Sequence, residues 1–116
     1  MVKMKLVIPT KGTKGLDDVV SAVFGKAENF TIIEISEGSI VSVEVVKNPA
    51  ATYKHGAGPI AIKTLTEKGV TAVAARELGL GASTLLEQNN IEKHHVEAGI
   101  LVREAVKKVL EETEVL

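Results

Sequence analysis

Phe30-Thr31-Ile32-Ile33-Glu34-Ile35-Ser36-Glu37-Gly38-Ser39-Ile40-Val41-Ser42-Val43-Glu44-Val45 decides the fold. Residues 30–35 are rich in Ile and Thr, side chains that fit a pleated surface. Glu37-Gly38-Ser39 supplies a hairpin turn. Residues 40–45 then alternate apolar and polar with period two, the pattern of a half-exposed strand. Ser42 and Glu44 are expected to face water, which suits the edge of a sheet.

Downstream of the hairpin the period changes. Residues 59–68 read as a helix closed by Gly69, with Ala61, Ile62 and Leu65 on neighbouring turns. Residues 70–75 form a short buried strand, and 82–88 a second helix that stops at Asn89-Asn90. Residues 91–96 make a polar edge strand. Residues 98–112 make an amphipathic helix whose stripe is Leu101, Val102, Ala105, Val106, Val109 and Leu110. Upstream, Leu6-Val7-Ile8 is continuously apolar, so residues 4–9 are a buried strand ended by Pro9. Residues 17–23 are expected to form one or two helical turns started by Asp17 and Asp18. A hairpin followed by strand–helix alternation means an α/β fold with a mixed sheet flanked by helices.

The 116 residues suffice for one domain with a core, spanning 1–116, and are too few for two. No apolar run could span a bilayer, so no membrane role and a cytoplasmic location are expected. Net charge is -1 and aromatics are 3%, which lacks the basic face and stacking rings of a nucleic-acid binder. There is no cysteine, so a metal or cluster would rest on His, carboxylate or backbone contacts, or bring its own inorganic ligands.

Three glycine-bearing loops follow the strands: residues 10–15, 48–58 and 76–81. His55-Gly56-Ala57-Gly58 stands at a helix start, where free N–H groups and the helix dipole favour an anion. Lys11, Gly12 and Lys14 in the first loop, and Arg76, Gly79 and Gly81 in the third, offer positive charge and room for close backbone approach. The candidate binding set is therefore Lys11, Gly12, His55, Gly56, Gly58, Arg76, Gly79 and Gly81, with His55 as candidate metal ligand. Gly12 and Gly15 lack the spacing of a P-loop, and Gly79-x-Gly81 is not a dinucleotide fingerprint. Glycines at helix starts also serve as plain turns and caps. His94 and His95 are adjacent on a strand and point to opposite faces, so they read as part of a solvated edge.

Val7-Ile8-Pro9-Thr10, Phe24-Gly25-Lys26-Ala27, Asn48-Pro49 and His55-Gly56-Ala57-Gly58, in that order, resemble the dinitrogenase iron–molybdenum cofactor biosynthesis family, the nitrogenase accessory factor-like group. The likeness runs nearly the whole length. It implies a ribonuclease H-like fold with a five-stranded mixed sheet ordered 3-2-1-4-5, strand two antiparallel to the rest. It also implies carriage of iron–sulfur or iron–molybdenum cofactor precursors, with cofactor-assembly proteins as partners. Many relatives have a histidine directly before the Phe-Gly motif; here that position is Val23, so that ligand is missing.

With that strand order, the ends of strands one, three and four share one edge, where open α/β sheets bind ligands. The expected function is non-catalytic carriage of such a cofactor. Two other readings stand beside it: a small-molecule anion or nucleotide sensor, and a partner-binding module that uses its edge strand. Nuclease chemistry needs clustered carboxylates, and the first strand has none.

Overall fold

Leu6, Val7 and Ile8 lie at the middle of the sheet with no exposed surface. The computed structural model describes residues 3–114. Their strand, β1 (Lys3–Thr10), has neighbours on both sides, which is why its apolar run is unbroken. β2 (Asn29–Ser36) pairs with it antiparallel, and β3 (Ser39–Lys47) pairs antiparallel with β2. β4 (Ala72–Ala75) lies parallel to β1, and β5 (Glu92–His95) parallel to β4. The five-stranded order is β3-β2-β1-β4-β5, as the family resemblance implies, and β2 alone runs against the others.

Strand alternation divides the core in two. Met4, Leu6 and Ile8 join Ile33, Ile35, Ala72 and Ala74 beneath α3 (Val102–Glu114), which contributes Val102, Ala105, Val106 and Val109. Val7 turns to the other face with Phe30, Ile32 and Val73. There it meets Ala61, Ile62 and Leu65 of α1 (Ala57–Glu67) and Leu86 of α2 (Leu80–Gln88). Phe24 and Phe30 are core residues, with ring centroids 5.4 Å apart.

Both short helices end in the same way. Gly69 adopts φ 76°; its N–H donates to Thr66 O, and Val70 N–H donates to Leu65 O. Asn90 adopts φ 57°; its N–H donates to Glu87 O, and Ile91 N–H donates to Leu86 O. This is the Schellman arrangement, in which a left-handed residue satisfies the last carbonyls. The apolar residues that follow, Val70 and Ile91, are buried and lead straight into β4 and β5. That stop is why β4 starts at Ala72 rather than at residue 70.

Besides the late start of α3, at Val102 rather than residue 98, two expectations fail. Residues 17–23 do not form helical turns: only a 3-10 turn, Gly15–Asp17, is present. Asp18 faces inward instead, and its carboxylate accepts the N–H groups of Lys14 (3.0 Å) and Val19 (2.8 Å). The β-branched pair beyond it is extended, Val19 bridging to Leu101 and Val20 to Thr10. The second failure is β3, which is not half-buried. Residues 39–44 are all exposed, Val41 by 60%. A register shift opposite Glu34/Ile35 breaks the alternation there, and no residue of 39–44 joins either core.

Candidate functional site

β1, β3, β4 and β5 point the same way, so the loops that leave them gather on one rim, joined by the loop that enters β2. The residues of this rim are held by named contacts. The loop 11–14 is folded back by Asp18, whose Oδ2 lies where a side chain on Gly12 would go, 2.8 Å from its Cβ position. Gly12 is thus required by its own loop. Asn29 Nδ2 donates to Lys11 O at 3.1 Å and ties that loop to the start of β2.

Asn48, with 1% exposure, is the central fastener. Its Nδ2 donates to the carbonyls of Gly25 (2.9 Å) and Ala27 (2.8 Å), and its Oδ1 accepts the N–H of Ala50 (3.0 Å). The loop after β3 is therefore bound to the loop before β2. The start of α1 closes on that second loop so tightly that a Cβ on Gly25 would lie 3.3 Å from Gly58 Cα and N. Every hydrogen-bonding need of Asn48's buried amide is met by backbone.

The helix starts are open. Gly56 precedes α1 with φ 74°, and no side chain caps it. Gly79 precedes α2 with φ 72°, again without a side-chain cap. Pro59 has no N–H and Ile60 N–H donates to Gly56 O, so in the first turn of α1 the uncapped donors are Ala57 and Gly58; in α2 Ser83 N–H donates to Gly79 O, and no side chain caps the positions before it. α1 begins at Ala57, two positions ahead of the expected Pro59, which puts the proline in the first turn where its missing N–H costs nothing. A Cβ on Gly56, Gly58, Gly79 or Gly81 would meet nothing within 4 Å, so a ligand could approach the backbone there. Lys11, Lys14, His55 and Arg76 are exposed around them.

The predicted residues do not share one cavity. Three concavities can be placed on the described surface. Those of about 400 and 510 Å³ lie at the far end of the strands, beside Lys3 and Thr71 and beside Ile40 and Leu110. The third, about 220 Å³, is on the rim and is lined by Ala75, Arg76, Leu78, Lys93, His94 and His95. Lys11, Gly12, His55 and Gly58 line none of the three. Among the described residues no group of three or more His, Asp or Glu side chains gathers that could hold a metal ion, at His55 or elsewhere. His94, whose side chain is 12% exposed, meets Glu112 Oε2 at Nδ1 (3.2 Å) and Glu92 Oε2 at Nε2 (3.4 Å). Sequence reasoning treated β5 as a solvated edge; the one available signal was the run Lys93-His94-His95 beside a loop that starts with Arg76.

Comparison with known proteins bears directly on this rim. The family model described as dinitrogenase iron–molybdenum cofactor matches residues 4–112, and so takes in every loop named above. The chain belongs to this family. An uncharacterised protein of Methanocaldococcus jannaschii is 28% identical over 108 residues, covering 93% of this chain and 86% of that protein. The apo form of the orange protein from Desulfovibrio gigas superposes with a TM-score of 0.84 at 27% identity, over 94% of this chain and 88% of the other. A Thermotoga protein provisionally described as a NifB protein gives 0.76 at 33% identity, over 93% and 88%. The fold is thus shared with these solved structures. No helix of the described residues is long and apolar enough to cross a membrane.

Proposed function

We propose that the chain is a non-catalytic carrier for an anionic iron–sulfur or iron–molybdenum-type cofactor, or a precursor of one, which cofactor-assembly proteins supply and receive. The observation that carries this reading is the start of α1. It has an uncapped first turn, a left-handed Gly56, open space over Gly58 and an exposed His55 beside it. Lys11 and Lys14 on the neighbouring loop add positive charge at the same rim.

The donor set fits a cluster that keeps its inorganic ligands. The chain has no cysteine, so no thiolate bonds are offered. What the rim offers is backbone N–H groups, ammonium and guanidinium groups, and one imidazole. Such groups hydrogen-bond to an anionic cargo and neutralise it. His55 is the residue suited to touch the cargo directly, and Gly58 the residue that lets it approach.

The test is anaerobic incubation of the purified chain with an iron–sulfur cluster donor, followed by desalting and measurement of retained iron and visible absorption. The wild-type chain is expected to retain a cluster, and His55→Ala to retain less. Absence of uptake by the wild-type chain refutes carriage.

A further inference from the structure

The cavity between the ends of β4 and β5 has a chemistry of its own. We propose that it is a binding site for a compact oxyanion of phosphate size, separate from the cargo site at the start of α1. Of its six lining residues, four carry side-chain nitrogen and none carries a carboxylate. Its volume of about 220 Å³ lies below the range of about 300–1,000 Å³ usual for drug-sized or cofactor ligands. That size suits a small anion.

The four nitrogen-bearing residues are not equivalent. His94 has a carboxylate at each ring nitrogen and serves as a fixed wall. Lys93 Nζ bonds Ser83 Oγ at 2.8 Å and Glu87 Oε1 at 2.5 Å, which anchors β5 to α2 and spends much of its charge. Arg76 is free by comparison. Its one ion pair among the described residues is with Glu77 at 3.7 Å, between side chains 52% and 75% exposed. A pair so exposed and long contributes little and is readily exchanged. His95 is exposed and points to the opposite face from His94. Arg76 and His95 are therefore the two binding groups. The guanidinium presents parallel N–H donors to two oxygens of the anion, and the imidazole donates to a third. Leu78 closes the apolar side.

The experiment is a ¹⁵N–¹H NMR titration of the whole chain with inorganic phosphate, against sodium chloride at matched ionic strength. Saturable shifts are expected at the amides of residues 75–78 and 93–96. Arg76→Gln and His95→Gln are each expected to weaken phosphate binding by about tenfold. Arg76→Lys, which keeps the charge and loses the fork, falls between. Both side chains are on the surface, and the spectra themselves report that the variants fold. His55→Ala leaves this titration unchanged while reducing cluster uptake, so failure here and failure of the carrier reading are told apart. The proposal is overturned if chloride reproduces the shifts, if they extend equally to Lys11 and Lys14, or if neither glutamine variant alters them.

Discussion

Gly25→Ala tests how the rim is built. A Cβ at position 25 would lie 3.3 Å from both Cα and N of Gly58 and 3.7 Å from the carbonyl carbon of Ala57. All three atoms are backbone, so no side-chain rotation relieves the contact. Gly25 does not have a positive φ, and alanine is conformationally acceptable there. Restricting the unfolded chain returns about 0.4–1 kcal/mol. Overpacking costs about 1–3 kcal/mol. Retreat of the 25–27 loop is resisted by Asn48, which grips the carbonyls of Gly25 and Ala27. The expected net loss is about 1–2 kcal/mol. Gly58→Ala has the opposite sign. Its Cβ meets nothing within 4 Å, and alanine inside a helix is favoured over glycine by up to about 1 kcal/mol. Urea unfolding of both variants, with midpoints compared at constant slope, measures the difference. Equal stability of Gly25→Ala and wild type, or shifts of the same sign in the two variants, would refute the tight seating of α1 against the 24–28 loop. Gly58→Ala carries a second consequence: it should raise stability and lower cluster uptake together, because the added methyl fills the approach to the helix start.

Three further outcomes are expected. Asn48→Ala strands two buried carbonyls and should cost about 2–4 kcal/mol in chemical unfolding. Phe30→Ala removes a fully buried ring beside Phe24 and should cost about 3–5 kcal/mol, read in the same experiment. Val41→Lys, on the exposed edge, should change thermal unfolding by no more than about 0.5 kcal/mol, whereas a larger loss would mean that β3 is covered in solution.

Features written into local chemistry were legible in the sequence. The Glu37-Gly38 turn, the glycine stop at Gly69 and the asparagine stop at Asn89-Asn90 each depend on a few adjacent residues, and each is found where expected. The strand order followed from the family resemblance. What failed depended on distant partners. Asp18 turns inward because its own carbonyl accepts Val102 N–H and because Val20 is stitched to Ile100 and Gly99, at the other end of the chain. No local pattern announces that. The alternation of residues 40–45 promised a buried face, but a strand buries a face only where a helix is available to cover it, and α3 sits over β1, β2 and β4. Within the rim, Arg76 lines a cavity with Lys93, His94 and His95, which the parallel pairing of β4 with β5 brings beside it and which no local pattern announces.

How the cargo is held at the rim can be decided by salt. If the rim acts through charge and N–H donors, its attraction runs from exposed cations on several loops to one anionic body. Raising ionic strength from about 0.1 to 1 M shortens the screening length from about 10 to 3 Å. Contacts from Lys11 and Lys14 are then largely screened, and cluster retention should fall steeply. A coordinate bond from His55 to a metal of the cargo would be nearly indifferent to the same change, because it acts at bonding distance. The two modes also respond differently to substitution. Under charge-based holding, Lys11→Gln and His55→Ala each lower retention in part, and the losses accumulate. Under coordination, His55→Ala abolishes it and Lys11→Gln does nothing. Salt-independent retention lost entirely with His55 would therefore overturn holding by charge, and it would require further ligands from the cargo itself, since no set of His, Asp and Glu side chains able to complete a metal site converges among the described residues.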